Sequence, residues 1–168
     1  MKNINKGLLI IGAGGHGKVV KEVAEAVGYD KIAFLDDNSE EAVGKIADSK
    51  QFVQEYQAAF VGIGNNKFRN ELLQRLEQEG YEIPVLLHPT AYISKTAVIG
   101  KGTVVEPKAI VNANSKVGSG CIISVGAIVD HDVVLEDCVH VNAGAICKAG
   151  SFVAKETKLE AGQVVKGY

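Results

Sequence analysis

Cut every six residues, positions 105–164 read VEPKAI, VNANSK, VGSGCI, ISVGAI, VDHDVV, LEDCVH, VNAGAI, CKAGSF, VAKETK, LEAGQV. With Ile93 and Ile99 before and Val165 after, the leading column is Ile93, Ile99, Val105, Val111, Val117, Ile123, Val129, Leu135, Val141, Cys147, Val153, Leu159 and Val165. Only Cys147 departs from the aliphatic series. Leu, Ile and Val make up roughly 30% of the segment, so twelve aliphatic residues in thirteen has a chance below about 10⁻⁴ even after all six frames are searched. A helix repeats every 3.6 residues and an ordinary strand every two; a sustained period of six requires a solenoid in which each hexapeptide is a short strand plus a turn.

The other columns agree. Two residues before each aliphatic position stands mostly a small side chain (Ala91, Ala97, Thr103, Ala109, Ser115, Cys121, Ala127, Ala145, Ser151, Thr157), as a narrow interior demands. Three residues after it glycine is frequent, at 102, 120, 126, 144, 150 and 162, where it turns the chain at low steric cost because it accepts positive φ. The pattern resembles the hexapeptide-repeat family. That resemblance implies a left-handed parallel β-helix with eighteen residues per triangular coil, so residues 93–165 would form about four coils.

The chain of 168 residues is long enough for one ordinary domain or two small ones. A formal charge of −2 argues against a nucleic-acid-binding surface. Lys2 and Lys6 precede an apolar run, residues 8–11, that is far too short for a signal peptide or a membrane span, so a cytoplasmic protein is expected. Cys121, Cys138 and Cys147 are odd in number and lack metal-ligand spacing, which reads as buried reduced thiols.

Residues 1–88 follow a different grammar, alternating strands and helices. Strands are expected at 8–11, 31–35, 59–63 and 85–87; helices at 18–27 and 67–79, stopped by Gly28 and Gly80, with a short helix at 51–57. The βαβ order predicts a small Rossmann-like α/β domain over 1–88, with the solenoid occupying 89–168. Between first strand and helix lies Gly12-Ala13-Gly14-Gly15-His16-Gly17, a G-x-G-x-x-G in the setting that motif needs. Its glycines let backbone approach a diphosphate, whose charge then faces the free N–H groups of the helix N-terminus. Asp36 supplies the acidic residue about twenty positions on. The domain has only about one mononucleotide-binding half, so a nucleotide joined to something smaller than a second nucleotide fits better than a dinucleotide.

The Gly-Gly-His-Gly loop, the His88-Pro89-Thr90-Ala91 junction and hexapeptides carrying His131-Asp132 resemble the sialic acid O-acetyltransferase and bacillosamine-type sugar N-acetyltransferase family over nearly the whole chain. The resemblance implies an acetyl-CoA-dependent acetyltransferase, without metal, acting on a nucleotide-linked amino sugar as a cytoplasmic homotrimer. It implies sugar-nucleotide contacts from Gly14, Gly15, His16, Asp36, Asp37, Gly64 and Asn65. It makes His131 the general base and Asp132 the acid that orients it. His140 would contact the acetyl thioester, with Ala149 and Gly150 beside it at the acetyl-CoA site. Imidazole suits the role because its ordinary pKa near 6.5 lets it take a proton around neutral pH. Adjacent residues on a strand point to opposite faces, so the His131–Asp132 contact requires a turn there. His88 reads as structural.

Three alternatives stand beside this reading. An O-acetyltransferase for sialic acid-type sugars would use the same residues. A zinc hydratase like the γ-class carbonic anhydrases shares the fold but needs a third solenoid His, which is lacking. A non-catalytic sugar-nucleotide-binding or scaffold protein gains from residues 153–157, which lack turn glycines, and from Lys166-Gly167-Tyr168, where the family's usual last coil and Pro-Ala segment do not follow.

Overall fold

The computed structural model describes residues 7–168, so Lys2 and Lys6 lie outside the described residues. The chain forms two compact units, Met1–Pro84 and Val85–Tyr168.

In the first unit, strand β1 (Leu8–Ile11) lies between β2 (Ile32–Leu35) and β3 (Ala58–Val61), all parallel, in the order β2-β1-β3. A parallel strand buried on both faces needs no polar alternation, and the Leu-Leu-Ile-Ile run of β1 is wholly buried. Helix α1 (Gly15–Ala26) follows β1, and α2 (Asn66–Glu79) follows β3. α1 begins three residues earlier than expected, inside the glycine motif, and gives way at Val27 before Gly28 takes φ +107°. At the start of α2 the Asn65 side chain accepts the Phe68 N–H at 2.9 Å; at its end Gly80 is left-handed at φ +96°. The short helix expected at 51–57 is a 3₁₀ helix at Ile46–Phe52. Its start is set by the Asp48 carboxylate, which accepts the Lys45 N–H, a local cap that hydrophobic periodicity does not register.

The second unit is a parallel β-solenoid. Leu86 pairs with Val104, Val104 with Ile122, and Ile122 with His140, each step eighteen residues. Two further ladders keep the same step, from Tyr92 through Ile110, Ile128 and Ile146 to Val164, and from Val98 through Lys116 and Val134 to Phe152. The inward column includes Val105, Val111, Ile123, Val129, Leu135, Val141, Cys147 and Val153, all buried. All three cysteines are buried and outside any disulfide, and burial pushes Cys147 up to about 11. Left-handed residues recur every sixth position. Asn114 (φ +58°) and Asp132 (φ +57°) stand where neighbouring coils have Gly120, Gly126, Gly144 and Gly150. Short polar side chains tolerate this conformation better than most.

One expectation fails. Residues 85–87 do not add a fourth strand to the first unit: Leu86 N–H bonds the Thr103 carbonyl and His88 N–H the Val105 carbonyl, so this segment is the solenoid's first rung. The units therefore divide between 84 and 85, not at the expected 88/89. Leu87 sits six residues before Ile93, and the hexapeptide column simply starts one step earlier.

Candidate active site

The order β2-β1-β3 means that the chain leaves β1 to one side and returns on the other, so the loops after β1 and β3 lie at the switch point where open α/β sheets take ligands. The glycines of these loops fall into two groups. A Cβ on Gly17 would sit 2.0 Å from the Gly12 carbonyl oxygen, and one on Gly62 would sit 2.8 Å from the Gly17 Cα. These positions pack the two loops together. Gly14, Gly15 and Gly64 differ, because a Cβ on any of them would meet nothing within 4 Å. Gly14 has an ordinary φ of −72°, so neither crowding nor turn geometry calls for glycine there. Exposed backbone at the mouth of α1 does, since that helix has neither a side-chain cap nor an acid in its first turn. We expect Gly17→Ala to destabilise the first unit by about 1–3 kcal/mol, because a rigid carbonyl must move, whereas Gly14→Ala should leave the melting temperature within a few degrees. Thermal unfolding of the two variants measures this.

Asp36 does not stand free. Its Oδ2 accepts the Ala13 N–H at 2.9 Å, and its Oδ1 accepts the N–H groups of Asn38 (2.8 Å) and Ser39 (3.0 Å). The first of these bonds, more than any other influence, holds its carboxyl below the usual range. Asp36 thus ties the glycine loop to the end of β2, with lone pairs left for a hydroxyl. Asp37 Oδ1 accepts the Ile46 N–H at 3.0 Å. His16 is half-buried with its Nε2 shielded, and burial, aided by the Arg69 charge, lowers it to about 4, so it is neutral at pH 7. Arg69 itself is buried, donating from Nη1 to the carbonyls of Ile63 (3.0 Å) and Gly64 (3.2 Å) and from Nη2 to Asn66 Oδ1 (2.7 Å). It fixes the loop that carries Gly64 and Asn65. A charged residue on a helix ordinarily reads as solvated, so no local pattern marks its burial.

In the solenoid, the required turn exists. Left-handed Asp132 folds its carboxylate back onto its neighbour, placing Oδ2 2.7 Å from His131 Nδ1. A carboxylate can only accept, so Nδ1 carries the proton and Nε2 keeps its lone pair. The hydrogen bond to Asp132 raises His131 above its ordinary value, outweighing its partial desolvation, and the charge of Asp130 adds to the rise. Asp130 Oδ1 accepts both the His131 N–H (2.8 Å) and Asn112 Nδ2 (3.1 Å). Asn114 Nδ2 donates to Asp132 Oδ1 at 3.2 Å. No local pattern marks either asparagine or Asp130, although each asparagine stands eighteen residues before its carboxylate. His140 lies on another face of the solenoid, its Nε2 3.0 Å from Ser124 Oγ. His131 and His140 of one chain therefore do not converge. The Gly150 N–H donates to the His131 carbonyl at 3.0 Å, so one of the two expected acetyl-CoA contacts has its donor engaged.

The PglD N-terminal domain family matches residues 7–76. UDP-N-acetylbacillosamine N-acetyltransferase of Bacillus subtilis (strain 168) is 32% identical over 111 residues, covering 60% of this chain and 51% of that protein. The chain spans about half the length of the curated relatives it matches. The acetyltransferase domain of PglB from Neisseria gonorrhoeae FA1090, in complex with acetyl coenzyme A, is 36% identical, covers 97% of this chain and 83% of that one, and superposes with a TM-score of 0.91. PerB from Caulobacter crescentus, in complex with CoA and GDP-perosamine, is 28% identical with a TM-score of 0.81, covering 97% and 90%. The chain belongs to the hexapeptide-repeat, bacillosamine-type N-acetyltransferase family.

Proposed function

We propose that this chain is an acetyl-CoA-dependent N-acetyltransferase acting on a nucleotide-linked amino sugar. The observation that carries the reading is the 2.7 Å contact of His131 Nδ1 with Asp132, which leaves Nε2 as a base of fixed tautomer. In the reaction the sugar amine attacks the thioester carbonyl of acetyl-CoA, Nε2 takes the proton that the nitrogen must lose, and the tetrahedral adduct collapses with cleavage of the C–S bond, CoA leaving as the thiol with that proton. Asp132 stabilises the imidazolium as it forms. The N- rather than O-acetyl reading follows the relatives, which act on UDP-N-acetylbacillosamine and, in PerB, bind GDP-perosamine.

We read the first unit as Rossmann-like and the solenoid as a left-handed β-helix. Gly14, Gly15 and the first-turn N–H groups of α1 would take the diphosphate, with Gly64 lining the same switch-point crevice. His16 would face the ligand as a neutral imidazole. Asp36 and Asp37 would meet the nucleoside through oxygens that already hold backbone. His140 would meet the thioester, and Ala149 and Gly150 would touch acetyl-CoA, Gly150 through its small surface rather than its engaged N–H. A cytoplasmic setting fits both substrates.

The register supports a homotrimer. Residues nine apart in an eighteen-residue coil lie half a turn around, so His131 and His140 can share a site only across an interface between subunits. A half-exposed apolar ladder on one face, with Tyr92, Ile110, Ile128 and Ile146, supplies a surface for such an interface. Sedimentation should give a trimer; a fully active monomer would refute the shared site. The activity is tested by incubating the protein with acetyl-CoA and a panel of UDP-, GDP- and CMP-linked amino sugars and following acetylated product by mass spectrometry. Tight binding of a sugar nucleotide with no transfer to any of them would favour the scaffold reading.

A further inference from the structure

Burying a guanidinium costs heavily unless its donors are met, so the partners of a buried arginine show what it is kept for. Arg69 is 1% exposed, and it holds a single stretch of backbone. Nη1 donates to the Ile63 carbonyl at 3.0 Å and to the Gly64 carbonyl at 3.2 Å, and Nη2 to Asn66 Oδ1 at 2.7 Å. The Arg69 backbone N–H donates to the Asn65 carbonyl at 2.8 Å. One residue thus grips Ile63, Gly64, Asn65 and Asn66 in succession. Helix α2 does not need the guanidinium for its start, because Asn65 Oδ1 already caps it through the Phe68 N–H at 2.9 Å.

In a trans peptide, the carbonyl of one residue and the N–H of the next lie in one plane and point in opposite directions. With the Ile63 and Gly64 carbonyls drawn to Arg69, the N–H groups of Gly64 and Asn65 must point away from it. Both residues are exposed, and a Cβ on Gly64 would meet nothing within 4 Å. Among the described residues, neither N–H has an acceptor. Gly62 keeps the turn beside the glycine loop that follows β1, through its 2.8 Å bond to the Ile11 carbonyl and its packing on Gly17. The Arg69 charge is felt on that loop as well, since after burial it is the second influence that lowers His16.

We propose that Arg69 is a positioning residue for the sugar-nucleotide site: by holding the Ile63 and Gly64 carbonyls it aims the N–H groups of Gly64 and Asn65 at the crevice, where they donate to the diphosphate alongside Gly14 and Gly15. It acts through the loop and does not touch the ligand. A lysine would supply the charge but not the flat fork of donors that meets two carbonyls and an amide together.

This inference rests on the diphosphate reading of the first unit and not on acetyl transfer. Inorganic pyrophosphate and UDP, added to the isotope-labelled whole chain and followed by NMR, test it. In the wild type both should shift the amide resonances of Gly64 and Asn65 together with those of Gly14 and Gly15. In Arg69→Lys the dissociation constants for both probes should rise roughly 10–100-fold, as two hydrogen bonds to charged oxygen lose their alignment. Affinity for uridine, which carries no phosphate and whose weak binding the same spectra measure, should stay within about twofold. Equal losses for UDP and uridine would mean that Arg69 only holds the fold together, and would overturn the proposal. Wild-type affinity for UDP and pyrophosphate in Arg69→Lys would overturn it too, as would pyrophosphate that shifts Gly14 and Gly15 in the wild type but leaves Gly64 and Asn65 in place. If neither probe shifts an amide of either loop, the diphosphate reading itself fails and this inference with it. A chain that shows the expected shifts and losses but transfers no acetyl group leaves the role of Arg69 standing.

Discussion

Replacing His131 by Ala should lower kcat by roughly 10²–10⁴-fold, the usual contribution of a positioned general base, with much smaller changes in substrate affinity. His131 is exposed and stands in a turn, so its loss should not disturb the solenoid core. Asp132→Asn should do less harm because the imidazole remains. The two substitutions should be strongly non-additive, an orienting carboxylate having little to do once the base is absent. The pH dependence has a definite sign. Asp132 raises the His131 pKa, the base must be neutral to act, and so wild-type kcat/KM should rise with pH through an apparent pKa above the ordinary value of 6.5. In Asp132→Asn that limb should shift to lower pH, with part of the elevation surviving through Asp130. An amine acceptor adds a further signature, since loss of its own proton in alkaline solution should partly restore activity to His131→Ala. Wild-type turnover by His131→Ala at neutral pH would remove this residue from the mechanism.

Why so much of the solenoid was legible, and which of its details were not, comes down to period. Every hexapeptide obeys the same rule, so the inward column and the turn glycines can be read directly, whereas the turn at Asp132 is required by the His131 contact and not shown by the sequence. The eighteen-residue register, by contrast, acts between coils. Asn112 under Asp130 and Asn114 under Asp132 become visible only when residues a full coil apart are compared. The first unit has no such repetition. Its long helices declared themselves, while a seven-residue 3₁₀ helix and a two-residue strand at Leu86–Leu87 are too short to carry a period. Arg69 escaped for another reason: its burial depends on loop carbonyls brought to it by the fold, which no local pattern encodes.

Gly14→Val should raise the dissociation constant for the sugar nucleotide by at least roughly 100-fold, about 2.7 kcal/mol, while leaving acetyl-CoA affinity nearly unchanged. The magnitude follows from the groups involved. Hydrogen bonds from backbone N–H to a charged oxygen contribute about 1.5–3 kcal/mol each, and a branched side chain at Gly14 would stand where a diphosphate must come to receive them. The fold should survive, because a Cβ at Gly14 meets nothing within 4 Å and the backbone there, at φ −72° and ψ −170°, suits a β-branched residue. Valine is a poorer N-cap than glycine, so a loss of about 1 kcal/mol in stability is expected and is readily told apart from the binding effect. Gly17→Ala provides the contrasting case, a substitution that strains the loop itself through the Gly12 carbonyl. Calorimetry on both variants therefore separates a glycine kept for a ligand from one kept for packing. Unaltered sugar-nucleotide affinity in Gly14→Val would show that the loop is only a turn between strand and helix, and the nucleotide would have to be sought elsewhere on the chain.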